Sequence, residues 1–299
     1  MKYNINKAQN PLSTSSVLVT LMPDVASPES RQAFSSMGIT SFLLLGILLF
    51  SGCRNGRSPG SEGLPPADQN YYQDITAGSG IDFTHSIGDD HLSNLVESVG
   101  GGAVFLDYDQ DGHLDLYVSN GVYLENLSEG KEPGKKTENQ LFRNLGNGRF
   151  ENTSEKSGTN HSGYGMGMTV GDYNNDGFPD IYISNYGPNV LFLNNGNGSF
   201  SDVTEKAGVG GSECSVGAVW LDYDNDGLLD LYVGNYIDFD PEYGYFYAPD
   251  GFPGPMAYDG QADILYHNLG NGTFEDVSKA MGIHNPDGRA MGVGAADYD

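Results

Sequence analysis

The chain is poor in positive charge and in cysteine, and it has no apolar stretch built like a membrane helix. Fourteen Lys and Arg face forty Asp and Glu, a formal charge of -26 over 299 residues. Such an acidic chain repels polyanions, which argues against nucleic acid as a partner and for bound cations or cationic surfaces. The two cysteines, Cys53 and Cys214, are too few and too far apart for a disulfide framework, and neither has a metal-type Cys spacing. The six histidines are scattered, with no nucleophile or paired acid and base beside them, so surface or packing roles outweigh catalysis. What is abundant is glycine, 43 residues, with 19 Tyr and 14 Phe. That mixture describes many short strands joined by tight turns and leaves little room for long helices.

The apolar run Ile39 to Phe50 follows Arg31 and closes on Ser51, Gly52 and Cys53. It is too short to span a bilayer as a helix and reads as the core of a secretory signal. Its ending resembles the lipobox of bacterial lipoproteins, with Phe50 where Leu is usual. That resemblance implies lipidation of Cys53 and membrane contact through this anchor alone. An ordinary cleaved signal is the alternative, and on both readings the protein is exported, as a cell-envelope lipoprotein or in secreted form. Residues 1–53 are thus an N-terminal extension and signal. Residues 54–70, RNGRSPGSEGLPPADQN, are a polar, Gly- and Pro-rich tether.

From residue 71 the chain repeats. DYDQDGHLD begins at Asp107, DYNNDGFPD at Asp172 and DYDNDGLLD at Asp222, and Asp297-Tyr298-Asp299 matches the first three positions of a fourth copy. The start positions are 65, 50 and 75 residues apart, a unit of about 50 with insertions. A stretch of small and apolar residues precedes each nonamer, and DLYVSN, DIYISN or DLYVGN, ending in it and running on, reads as a buried strand. Further on, QLFRNLGNGRFENTS, VLFLNNGNGSFSDVT and ILYHNLGNGTFEDVS place Asn-Gly at 147–148, 197–198 and 271–272 between apolar runs, a strong hairpin signal because both residues tolerate the positive φ of such a turn. Two hairpins give four strands per unit, the content of one β-propeller blade. The expected fold is all-β, with three to four blades of four antiparallel strands in an incomplete propeller over 71–299. YYQDITAGSGI, from Tyr71, matches the end of the second element, so an outer strand is expected before the first unit.

Oxygen ligands at alternate positions of a tight loop can all turn inward, and glycine at position six permits the bend that lets a backbone carbonyl join them. The candidate ligands are Asp107, Asp109, Asp111 and Asp115 in the first loop, and Asp172, Asn174, Asp176 and Asp180 in the second. Asp222, Asp224, Asp226 and Asp230 follow in the third, and Asp297 and Asp299 in the partial fourth. Ligand hardness favours Ca2+ over zinc, and a flexible, oxygen-rich loop favours it over magnesium. Asn174 removes one charge, so the second site is expected to be the weaker. Asp-Gly and Asn-Gly also form turns without any metal, but threefold recurrence with Asp always ninth favours an ion. An EF-hand loop needs an acidic residue at position twelve, where Val118, Ile183 and Val233 stand. Contiguous nonapeptide rolls lack the gap of about 50 residues.

The loops together with the GNGxFxDVT element resemble the FG-GAP or VCBS repeats of integrin-alpha-type propellers. The order of elements is similar to that of bacterial relatives of the cartilage acidic protein, in which a propeller often precedes an ASPIC/UnbV module. The resemblance implies calcium in the loops and seven blades in a full fold, of which this chain carries about three. Between the second and third strands of the third unit lies IDFDPEYGYFYAPDGFPGPMAYDG. With the preceding Tyr236, its Tyr243, Tyr245, Tyr247 and Tyr258 are the candidate ligand surface, stacking on a sugar or gripping a protein. A proline-stiffened cap folded against the blade is the competing reading. The expected function is non-catalytic adhesion or recognition of an extracellular protein or glycan. The alternative is the propeller portion of a secreted polysaccharide-active enzyme such as a lyase, whose active site would be built from insertions.

Overall fold

Each nonamer lies between two strands that its own sequence makes antiparallel. In the computed structural model, which describes residues 73–125, 127–132, 137–243 and 253–296, β1 (Ala103–Leu106) and β2 (Asp115–Val118) flank the first loop. β5 (Tyr164–Gly171) and β6 (Asp180–Tyr186) flank the second, and β9 (Ser215–Leu221) and β10 (Asp230–Asn235) the third. The ninth aspartate is in every case the first residue of the second strand, paired with Leu106, Gly171 or Leu221. The Asn-Gly elements supply the other two strands: β3 (Gln140–Asn144) and β4 (Phe150–Asn152), β7 (Val190–Asn194) and β8 (Phe200–Asp202), β13 (Ile264–Asn268) and β14 (Phe274–Asp276). The result is three four-stranded antiparallel sheets, ordered β1-β2-β3-β4, β5-β6-β7-β8 and β9-β10-β13-β14. These are three propeller-type blades. A short ribbon of β11 (Ile237–Asp238) and β12 (Asp259–Gly260) lies inside the third blade's insertion. All described residues from Thr76 onward belong to one compact unit.

The core lies between blades. Leu106, Tyr117 and Leu141 of the first sheet pack with Ile181, Ile183 and Phe192 of the second. Tyr182 and Leu191 of the second pack with Leu231, Val233 and Tyr266 of the third. Second strands are therefore buried almost throughout, whereas each outer strand buries only its leading phenylalanine, Phe150, Phe200 or Phe274. The innermost strands β1, β5 and β9 run side by side, which explains the small residues before each nonamer. A Cβ on Gly167 would come within 2.6 Å of the Val216 carbonyl oxygen, and one on Gly102 within 3.2 Å of the Gly167 Cα.

Two expectations need correction. The hairpin between third and fourth strands is not a two-residue Asn-Gly turn with both residues at positive φ. Gly146, Gly196 and Gly270 take positive φ together with Gly148, Gly198 and Gly272, and the asparagines between them do not. Leu145 donates its N–H to the Arg149 carbonyl and Asn195 donates to that of Ser199, so the loop holds three residues. The first of these glycines is required by packing: a Cβ on Gly146 would sit 2.5 Å from the His113 ring, and one on Gly196 2.8 Å from the Phe178 ring. The second correction concerns the segment before the first blade. Among the described residues, Gln73–Ile75 are not in a strand, and Thr76–Ser79 forms a turn. A Cβ on Gly80 would meet the Phe150 carbonyl, just as one on Gly158 would approach that of Phe200, so the segment occupies the place of a preceding blade's closing turn. Cys53, the signal, the 54–70 tether, Tyr245, Tyr247, Asp297 and Asp299 lie outside the described residues.

Candidate metal centres

The three loops share one backbone conformation, set by their own side chains. Position one caps the turn: Asp107 accepts the N–H groups of Asp111 (3.0 Å) and Gly112 (3.0 Å). Asp172 accepts those of Asp176 (3.0 Å) and Gly177 (2.8 Å), and Asp222 those of Asp226 (3.1 Å) and Gly227 (3.0 Å). Position five in turn accepts the N–H of position seven, His113, Phe178 or Leu228, at 2.8 to 3.0 Å. Position four is left-handed in every copy, with φ of 58° at Gln110, 56° at Asn175 and 61° at Asn225. Asparagine tolerates that region and glutamine does so less readily. Glycine at six has φ of 87°, 93° and 87°.

Position nine is the floor of each loop. Asp115, Asp180 and Asp230 are fully buried. One oxygen of each accepts the N–H of the tyrosine at position two, at 3.1, 3.2 and 3.2 Å. The other accepts the N–H of Asn144, Asn194 or Asn268 at the end of the third strand, at 2.7, 2.8 and 2.8 Å. Burial pushes the Asp115 carboxyl up to about 6 and Asp180 up to about 7, against the opposing pull of those N–H donors. Asp230 is also raised by burial, with His267 among the groups pulling it back. A buried carboxylate with raised pKa, facing others, is a group whose charged form calls for a counter-ion.

Positions one, three and nine converge. Asp107, Asp109 and Asp115 each bring one carboxylate oxygen within 4.8 Å of the others, and Asp222, Asp224 and Asp230 do the same. Asp109 Oδ1 is buried with no hydrogen-bond partner, an acceptor that a cation would satisfy. All-oxygen donors on a flexible loop suit a hard divalent ion. The second loop keeps Asp172 and Asp180 but has Asn174 at position three, whose amide donates to Asp176 Oδ2 at 2.9 Å. Position five contributes differently from copy to copy. Asp111 is turned to Arg143, whereas Asp226 groups with Asp224 and His267 within 4.8 Å. His267 is thus no bystander: its Nδ1 lies 3.1 Å from Asp230 Oδ1 and 3.6 Å from Asp224 Oδ2. The carbonyl of the glycine at position six accepts a side chain of the preceding loop in two copies. Gln110 donates to Gly177 O at 2.6 Å and Asn175 to Gly227 O at 2.9 Å, linking each loop to the next.

Two sets of residues escaped the sequence reading. Asn194 donates its side-chain amide to Tyr108 O of the preceding blade at 2.9 Å, and Asn268 does the same to Tyr173 O at 2.8 Å. Their recurrence in FRNLG, FLNNG and YHNLG was the available signal. The second set is Arg143 and His267, which occupy one strand position but differ in type.

The family model for FG-GAP-like repeats matches residues 107–183 and 172–233, covering all three loops. The chain carries FG-GAP-like repeats. No curated protein matches it. Among solved structures it is similar to an Agrocybe aegerita lectin described for specific recognition of non-reducing terminal N-acetylglucosamine. The identity is 16% and the TM-score 0.29, over 58% of this chain and 36% of the lectin, so the match spans about a third of that neighbour's length.

Of the three described tyrosines in the candidate surface, two are buried. Tyr236 and Tyr258 are 3% and 5% exposed, packed with Val96, Tyr164, Met166, Cys214 and Ile237. Tyr236 cannot present its ring to a ligand. The insertion folds back on residues 95–99 and 122–124, remote in sequence, which makes it the cap of the competing reading. Tyr243 is 43% exposed and meets the Tyr258 ring at a tilt, 5.5 Å between centroids, and Tyr258 in turn meets Phe239 at 5.1 Å. Cys214 is a buried thiol pushed up to about 12 by desolvation, 3.8 Å from the Met166 sulfur, and so is not a reactive group.

Proposed function

We propose that the chain is a calcium-braced, non-catalytic repeat protein of the bacterial cell exterior, held by a lipid at Cys53 or secreted, which recognises an extracellular protein or glycan. The observation that carries the calcium reading is the convergence of positions one, three and nine over a buried ninth carboxylate. If free calcium is about ten times the dissociation constant, each loaded loop adds about 1.4 kcal/mol of stability and three add about 4 kcal/mol, a large share of the margin of an ordinary domain.

Recognition is assigned to the opposite end of the sheets. In an antiparallel blade the nonamer and the Gly-Asn-Gly hairpin share one end, and the connection from second to third strand lies at the other. There the insertions of the first and third blades meet around a pocket of about 320 Å3. Phe239, Tyr243 and Tyr258 form one wall, and Glu129, Asp240 and Glu242 supply acidic groups. Rings beside carboxylates suit a neutral sugar or a basic segment of protein and repel a polyanion. A glycan array, read beside a depolymerisation screen on polysaccharides, tests this. Binding without product supports recognition, and turnover without stoichiometric binding replaces it with the enzyme reading.

A further inference from the structure

The residue before the asparagine of the third strand holds the same register in all three blades. Arg143 pairs with Glu151, Leu193 with Ser201 and His267 with Glu275. Its type is different in each: a permanent cation, an alkyl chain and an imidazole. In the first blade the arginine reaches into the loop. Nε lies 2.6 Å from Asp109 Oδ2 and Nη2 2.9 Å from Asp111 Oδ2. Two of the four carboxylates are thus already neutralised in part by a charge attached to the chain, while Asp109 Oδ1 stays buried and unpartnered.

We infer that Arg143 is a tethered counter-ion of the first loop, which holds Asp109 and Asp111 when no metal is bound and lowers that loop's affinity for a divalent cation below that of the other two. This rests on the calcium reading proposed above and refines it. An incoming ion must share two ligands with a guanidinium or displace it, and repulsion between like charges a few ångströms apart in a partly screened site costs on the order of tenfold in affinity. Arginine cannot relieve this by losing a proton. With Arg143 counted, the first loop carries the same formal charge as the second, where Asn174 replaces an aspartate. Asn174 therefore no longer marks the second loop as the weakest. The alkyl chain of Leu193 brings no competing charge.

Calorimetric calcium titration of the metal-stripped protein and of Arg143→Leu, which copies the second blade, tests the inference, with Arg143→Gln as a second variant that keeps polarity without charge. The expected result is two tighter sites and one weaker in the wild type. In both variants the weak site tightens about tenfold, and Asp111→Asn on top of Arg143→Leu removes the gain. Melting supplies the second readout: in EDTA the variants unfold below the wild type, and in saturating calcium the difference closes. An unchanged or weakened third site with two others loaded overturns the role of Arg143 and leaves calcium binding standing. A melting loss that is equal with and without calcium also overturns it, because it marks an ordinary ion pair. Absence of binding at every loop overturns the calcium reading and this inference with it.

Discussion

The two ends of the blades are built on different principles. At the loop end the copies repeat one backbone design: the same caps, the same left-handed fourth position, the same buried ninth aspartate, and side-chain bridges from Gln110 and Asn175 to the following loop. At the other end the connections have nothing in common. The second blade passes from β6 to β7 through Gly187, Pro188 and Asn189, while the first and third carry long insertions that share a core. Order at one end comes from hydrogen bonds and clustered charge within short segments, and at the other from apolar contacts between segments remote in the chain. Conditions that act on charge are therefore expected to report on the first end, and truncations of rings on the second.

The largest effect is expected at the insertion end. Tyr258→Ala removes a ring 5% exposed that holds Phe239 and Tyr243 and should cost about 3 kcal/mol in denaturant unfolding, with or without calcium. Tyr243→Ala, on the exposed side of that ring cluster, should leave stability within about 0.5 kcal/mol while weakening ligand binding. If the two variants destabilise alike, the division between cap and surface is wrong. At the loop end, Asp180→Ala strands the N–H groups of Tyr173 and Asn194 and should cost about 2 to 3 kcal/mol even in EDTA. Asp176→Asn, an exposed position-five change, should lower the melting temperature only when calcium is present. Asn175→Ala removes one bridge between loops and should cost about 1 kcal/mol.

A further effect concerns pH. Burial raises the folded-state carboxyls of Asp115 and Asp180 to about 6 and 7, above the ordinary value of 3.8. Their contribution to stability is complete below about pH 4 and is lost as pH climbs through 6 and 7. Metal-stripped protein should accordingly melt higher at pH 5 than at pH 8. Saturating calcium should narrow or reverse that difference, since the ion competes with the proton for the same oxygens.

The loop end was largely legible in the sequence, because a period-two carboxylate pattern, a glycine at six and strand-like flanks are local signals. They predict the four-stranded blades and nominate positions one, three, five and nine, of which one, three and nine converge in the first and third loops. Less legible was anything that depends on a partner across the sheet. Arg143 and His267 are 28 or more residues from any nonamer and meet it only once the second and third strands pair. Asn144, Asn194 and Asn268 recur visibly, but a recurring asparagine in a turn-rich chain has many explanations until its N–H is seen on the ninth aspartate. The insertion leaves two readings open in the sequence, because an aromatic-rich segment looks alike whether its rings face water or a neighbouring blade. Only the contacts of Tyr236 with residues some 140 positions upstream place it inside.

Thermal melting of metal-stripped protein against rising calcium puts the whole account at risk in one experiment. The melting temperature should climb with calcium concentration, saturate, return to its starting value on chelation, and respond less to magnesium at the same concentration. A curve that is flat from stripped to saturated protein would mean that the aspartate loops are turns and nothing more.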